Sequence, residues 1–267
     1  MIDQKNLGSN DLFEIINNRR SIRKFLGKDI SEDVIGKILY AGIRAPFAYQ
    51  ATSIVYTSDK EKMEKLKRLG IYPSTKLFMI FLIDFNRLEK IVQQKGYTYN
   101  FDDGMLLWLG IQDASLVAEN LILAAEACGI GSVLLGNAPL HTELIAKVFK
   151  LPKKVIPVVG LCLGYPDPKH LMDVRPRFPL QRCTFKDEYT DYSESDILEC
   201  MKAMDEGYIT QGYYIKLNAK IPLYQKEDKI DMDKYSWSEH ISRKITQGIW
   251  SDKSLLDIIR EQGFNLK

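Results

Sequence analysis

Cysteine is scarce in this sequence, and none of it is closely paired. Four occur in 267 residues, at Cys128, Cys162, Cys183 and Cys200, with no C-x-x-C among them, which speaks against a disulfide framework and for reduced thiols. Histidine is scarcer still: His141, His170 and His240 each lack a Cys, His or carboxylate partner at metal-ligand spacing, so no metal site is expected. An excess of one charge is also missing. The 37 Lys+Arg against 35 Asp+Glu leave a formal +2, so no global field draws the chain to nucleic acid, and any basic site is local. Long hydrophobic runs are absent as well. The longest, residues 77–83, is too short to span a bilayer, and residues 1–10 carry no apolar signal core, so a cytoplasmic protein without a membrane partner is expected. A P-loop, a G-x-S-x-G elbow and an H-E-x-x-H pair do not occur, which removes the commonest hydrolase and kinase chemistries.

What remains is a chain with 45% apolar and 27% charged residues, a globular balance that excludes disorder and low-complexity scaffolds. Helical spacing over residues 12–16 runs straight into a basic cluster. Ser31 followed by Glu32 and Asp33 predicts a helix start, with Val34, Ile35, Ile38, Leu39 and Ile43 on one face and a stop before Pro46. Residues 53–57 are β-branched and short, and the run 77–83 reads as a strand covered on both faces. Residues 105–128 are apolar around most of a helical circumference, which predicts a central buried helix. A strand-like run (132–136), a helix (142–149) and a second buried strand (155–164) follow, then a Pro-rich loop, a helix over 193–208, a Lys-rich stretch (216–234) and two short helices. No linker and no repeat of 20–50 residues interrupts the chain. These signals predict one α+β domain with an extended C-terminal region from about residue 190 to 267.

Gly129-x-Gly131 followed by Gly136 invites a dinucleotide-binding reading. That fingerprint needs a strand before the glycines and a helix after them; here the order is reversed, so Gly129 reads as a helix C-cap. Two arginine groups stand out instead, Arg19/Arg20/Arg23 and Arg175/Arg177, the latter stiffened by Pro176 and Pro179. Guanidinium groups fork onto phosphate oxygens, so a shared anion would explain both. Two solvated surface patches making ordinary salt bridges are the alternative, and composition alone favours it, since surface charge runs are usually that.

The runs Arg19-Arg20-Ser21-Ile22-Arg23-Lys24-Phe25, Asp84-Phe85-Asn86-Arg87, Gly110-Ile111-Gln112-Asp113-Ala114, Gly131-Ser132-Val133-Leu134-Leu135-Gly136, Leu161-Cys162-Leu163-Gly164-Tyr165-Pro166 and Arg175-Pro176-Arg177-Phe178-Pro179 resemble, in that order, the FMN-dependent nitroreductases. The branch they look most like is the oxygen-insensitive NADPH nitroreductases and flavin reductases, and Trp237-Ser238-Glu239-His240 and Gln262-Gly263-Phe264 extend the likeness. The resemblance implies an α+β sandwich around a small mixed sheet flanked by helices. It also implies a homodimer with the long central helix in its interface, and FMN at interfacial sites.

Carried over by position, Arg19, Arg20, Ser21 and Arg23 would meet the FMN phosphate and pyrimidine side, and Arg175 and Arg177 the other flank. Leu134, Leu135, Gly136 and Asn137 match the segment passing the flavin ring. The loop 45–50 departs from the family: hydroxyl residues that usually face the flavin from the partner subunit are replaced by Pro46, Phe47 and Ala48. Cofactor contacts at Phe47 and Gln50 would therefore come through backbone. The family's Gln near Gly70-Ile71 is missing too. The implied activity is two-electron transfer from NADPH or NADH, through flavin N5, to nitroaromatics, quinones or free flavin by ping-pong turnover. The alternative, motivated by Phe47, is a flavin-binding storage or sensor protein without turnover. For the pyridine nucleotide the matching stretch offers only Lys216 and Lys220, flexible point charges worth about 0.5–1 kcal/mol each. A preference for NADPH below about thirtyfold is expected.

Overall fold

The computed structural model describes residues 11–99, 102–224, 227–247 and 253–266. Contacts gather the chain into two compact units, Met1–Leu171 with Ser251–Lys267, and Met172–Trp250.

The first unit contains α1 (Asp11–Asn18), α2 (Glu32–Ile43), β1 (Thr52–Thr57), α3 (Lys60–Lys65), β2 (Leu77–Asp84), α4 (Phe85–Gln94), α5 (Asp103–Ala127), β3 (Gly131–Leu135), α6 (Thr142–Phe149) and β4 (Val155–Gly164). The second contains α7 (Glu194–Thr210), α8 (Tyr213–Leu217) and α9 (Trp237–Thr246), and α10 (Leu255–Glu261) returns to the first. Ser31 caps α2 by accepting from the Val34 amide, as its sequence predicts. Gly129, in the left-handed region at φ +71°, follows the last turn of α5, which bears out the C-cap reading. Helices α3 and α4 lie outside those expected from the sequence, although Phe85, Leu88, Ile91 and Val92 recur at helical spacing in α4. Their starts are nevertheless capped, by Asp59 and Asp84.

The sheet has the order β1-β2-β4-β3 with every neighbouring pair antiparallel. The expected mixed sheet is corrected here: among the described residues, parallel pairing enters only as an isolated bridge between Ser21 and Ser132. A continuous apolar run reports coverage of both faces and leaves strand direction open. That coverage is realised in β2, where Leu77, Met79 and Phe81 pack with α2 and α5 while Phe78, Ile80 and Leu82 pack with Leu66, Ile145 and Cys162 on the other face. The layers are therefore helix, sheet, helix.

By length and composition α5 would also cross a membrane, but half of that stretch is buried within the unit. Its other side leaves Met105, Trp108, Ile111 and Leu116 exposed. Its first turn holds the C-terminal segment: the Asp103 amide donates to the Asn265 carbonyl at 2.9 Å, and the Asp103 carboxylate accepts from the Asn265 amide at 2.6 Å and from the Tyr99 hydroxyl at 2.5 Å.

The second unit is built around an aromatic cluster of Met204, Tyr208, Tyr213, Tyr214 and Tyr235. The α7 start carries a reciprocal Ser193/Asp196 capping box.

Candidate functional site

The basic segment after α1 is fixed by backbone pairing. The Ile22 amide donates to the Ser132 carbonyl (2.8 Å), the Leu26 amide to the Tyr165 carbonyl (2.8 Å) and the Asp167 amide to the Lys24 carbonyl (3.1 Å), and Phe25 bridges Pro166. Ile22 and Phe25 are buried, whereas Arg19, Arg20, Ser21 and Arg23 are half-buried. The close fit depends on Gly131, where a Cβ would lie 2.5 Å from Ile22 Cγ1. Inside the segment the Arg20 Nε donates to the Asn18 carbonyl (3.1 Å) and the Arg23 guanidinium to the Ser21 carbonyl (3.4 Å). Behind it, burial pushes the Glu126 carboxyl up to about 7, against the pull of Arg19 and Arg20.

These residues border the open edge of β3. Since Ser132 directs its carbonyl to residue 22, strand alternation directs the backbone groups of Leu134 the same way, off the sheet and away from β4. Leu134 is 43% exposed, Leu135 is buried in the core and Gly136 opens the following turn. Asn137 then approaches His141, Nδ2 to Nε2 at 3.5 Å. Burial and the nearby Arg68 lower the His141 pKa, which favours the neutral ring. Half-buried guanidiniums beside an open edge with backbone donors form a donor set that fits a flat ring carrying a phosphate.

Phe47 and Gln50 lie elsewhere, on the β1 side, lining a cavity of about 340 Å³ with Ile43, Thr52, Tyr56, Arg87 and Asp113. Because β1 and β3 are the two ends of the sheet order, one chain holds the two groups of predicted cofactor residues on opposite edges. The loop is fastened by side chains that the motif reading did not single out. Asp113, 2% exposed in the middle of α5, accepts from the amides of Ala48 (2.7 Å), Tyr49 (3.2 Å) and Ala51 (3.0 Å). Arg87 donates to the carbonyls of Gln50 (2.7 Å) and Thr52 (2.8 Å). The amides of Ala48, Tyr49 and Ala51 and the carbonyl of Gln50 are thus engaged within the chain. The signal for Asp113 was its position, a carboxylate inside the most apolar helix of the chain, where burial demands partners.

In the second unit, Arg177 donates to the carbonyls of Arg175 (2.9 Å) and Pro176 (3.0 Å), and the Arg175 guanidinium lies 5.8 Å from the centre of the Tyr213 ring. Lys216 pairs with Asp173 at 3.3 Å. Lys220 is drawn into an ion cluster with Asp228 (2.9 Å) and also meets the Ile230 carbonyl. Arg243, 3% exposed, completes that cluster through Asp228 (2.8 Å) and Glu239 (2.6 Å). The Arg243 and Lys220 donors hold the Asp228 carboxyl far below the ordinary range. Lys220 is therefore a partner within the unit's own packing, and Lys216 is the more exposed of the two lysines.

Comparison with known proteins matches residues 16–165 to the model of the Nitroreductase family. An "NADPH-dependent oxidoreductase" of Staphylococcus saprophyticus is 30% identical over 205 residues, 74% of this chain and 81% of that protein. Among solved structures, NfrA2 of B. megaterium superposes with a TM-score of 0.80 at 25% identity, over 97% of this chain and 99% of that one. The NADPH:FMN oxidoreductase of Vibrio harveyi, complexed with NAD+, superposes with a TM-score of 0.74 at 25% identity, over 95% and 98%.

Proposed function

The chain belongs to the nitroreductase family, and from that premise we propose that it is an FMN-dependent oxidoreductase that draws electrons from NADPH or NADH. The observation that carries this reading is the arginine segment 19–23 fixed along the open edge of β3. In it, Arg19, Arg20, Ser21 and Arg23 hold the phosphate and pyrimidine side of FMN, and Leu134, Leu135, Gly136 and Asn137 pass the ring. When bound, FMN supplies two-electron chemistry, accepting hydride at N5 from NAD(P)H and reducing a nitroaromatic, quinone or free flavin in a separate half-reaction. The residues around it bind and orient; no side chain is assigned a proton transfer.

Phe47 and Gln50 contribute from the partner of a homodimer. Two features support this: their place on the sheet edge opposite the arginine segment, and the exposed apolar side of α5, where Trp108 is 63% exposed. A two-fold pairing would cover that face and complete each site. The reading places turnover in the cytoplasm, where pyridine nucleotides are supplied.

Purification and a coupled assay test it. The protein is expected to be yellow, dimeric by light scattering, and to oxidise NADPH or NADH with a quinone or nitroaromatic acceptor. Bound FMN without nucleotide oxidation would instead favour a storage or sensor role, and colourless protein that takes up no FMN would defeat both.

A further inference from the structure

A second concave surface in the first unit is lined by cations. Lys65 ends α3, Lys67 and Arg68 belong to the 3-10 turn Lys67–Leu69, and Lys147 faces them from α6, around a groove of about 560 Å³ that also includes His141 and Glu143. Four cations thus meet one carboxylate. Lys67 is paired with Glu64 at 2.5 Å, but among the described residues no carboxylate lies within salt-bridge distance of Lys65, Arg68 or Lys147. Buried neighbours fix both walls: Leu66 and Leu69 anchor the 3-10 turn and Ile145 anchors α6. The floor is not another charge, since burial and Arg68 favour neutral His141. Through the contact between His141 and Asn137, the groove adjoins the end of the β3 edge.

We infer that this groove binds a phosphate group of the pyridine nucleotide, with Arg68 as the forked donor and Lys65 and Lys147 as point charges. The identity of the ligand rests on the oxidoreductase reading above; the anion preference rests on the groove itself. An arginine beside two lysines in a concave, carboxylate-poor wall is suited to a phosphate ester, because the guanidinium gives two-point geometry and the ammonium groups add charge. The site also supplies an arginine for the nucleotide that the stretch around Lys216 and Lys220 does not.

The test is calorimetric titration of NADP+ and NAD+ into the FMN-loaded protein and into the double variant Arg68→Gln/Lys147→Gln, with Lys90→Gln on α4 as the control. The double variant is expected to weaken NADP+ about tenfold, the sum of two solvent-screened charge contacts, while flavin absorbance and the control's affinity are unchanged. Weakening of NADP+ alone assigns the groove to the 2′-phosphate, and equal weakening of NAD+ assigns it to the diphosphate; either outcome supports the proposal. Affinities for both nucleotides within twofold of the unaltered protein overturn it. Flavin content is read separately: a protein that binds NADP+ in this groove but holds no FMN would refute the oxidoreductase reading and leave the groove standing.

Discussion

The two edges of the sheet are finished by different physics. At the β3 edge, residues 19–26 are held by main-chain bonds to Ser132, Tyr165 and Asp167, with Ile22 packed onto Gly131. At the β1 edge, residues 48–52 are held by two side chains, Asp113 and Arg87, acting on loop amides and carbonyls. Backbone pairing sets the place of the arginine segment, and the Arg20 and Arg23 guanidiniums add hydrogen bonds within it, to the Asn18 and Ser21 carbonyls. A loop fixed from outside by Asp113 and Arg87 can change its own side chains, as Phe47 and Ala48 show, yet depends on those two distant residues. The first edge should be sensitive to changes of shape at the contact between Ile22 and Gly131, the second to removal of its distant fasteners.

The largest expected effect breaks the second fastening. Asp113→Ala removes the acceptor of three amides, of which that of Ala51 is buried and those of Ala48 and Tyr49 are within reach of water; with about 1–3 kcal/mol for the buried amide left unpaired, a loss of about 2–4 kcal/mol in urea unfolding is expected. Limited proteolysis should cut within residues 44–53. A loss below 1 kcal/mol would show that the loop does not depend on Asp113.

At the other edge the corresponding lesion is steric. Gly131→Ala brings a methyl against Ile22 and Pro166, and overpacking of this kind costs about 1–3 kcal/mol. Displacement of the arginine segment should lower FMN retention with it, measured as the 450 nm to 280 nm absorbance ratio. Unchanged stability and retention would mean that the segment is not held by this fit.

The smallest effect concerns pH. Burial raises the folded-state pKa of Glu126 from 4.5 to about 7, so between those values the folded chain keeps a proton that the unfolded chain releases. Stability from this group is present below about pH 4.5 and is lost as pH rises towards 7. Glu126→Gln should flatten that fall, by less than about 1 kcal/mol given the partial exposure of the carboxyl, when melting temperatures at pH 5 and pH 8 are compared. An unaltered pH slope would contradict it.

Much of this was legible before any coordinates. An apolar circumference marked α5, and the run at 77–83 marked β2, which is covered on both faces. Family motifs marked the arginine segment and the β3 end, because backbone approach there constrains residue type at Gly131 and Ser132. Helix α3 was not legible, since so short and exposed a helix is set by its Asp59 cap more than by an apolar face; α4 does carry Phe85, Leu88, Ile91 and Val92 at helical spacing, but it starts directly at the end of β2, where the Asp84 cap marks a boundary that apolar pattern does not. The antiparallel order was hidden because burial pattern carries no direction. The roles of Asp113 and Arg87 were hidden for a different reason: their partners are main-chain groups many residues away, which no local spacing announces. Lys220, expected as a flexible point charge, is instead paired with the Asp228 carboxylate inside the same Lys-rich stretch.

The central claim is that FMN sits on the β3 edge, held by the arginine segment. It is tested most directly by titrating FMN into flavin-stripped protein and following the quenching of flavin fluorescence, for the unaltered chain and for Arg23→Ala. The account predicts one FMN per chain and an affinity lowered roughly ten- to hundredfold in the variant, the scale of about 1.5–3 kcal/mol for a charge-assisted hydrogen bond. Equal affinity in the two proteins, or no saturable binding to the unaltered chain, would contradict it.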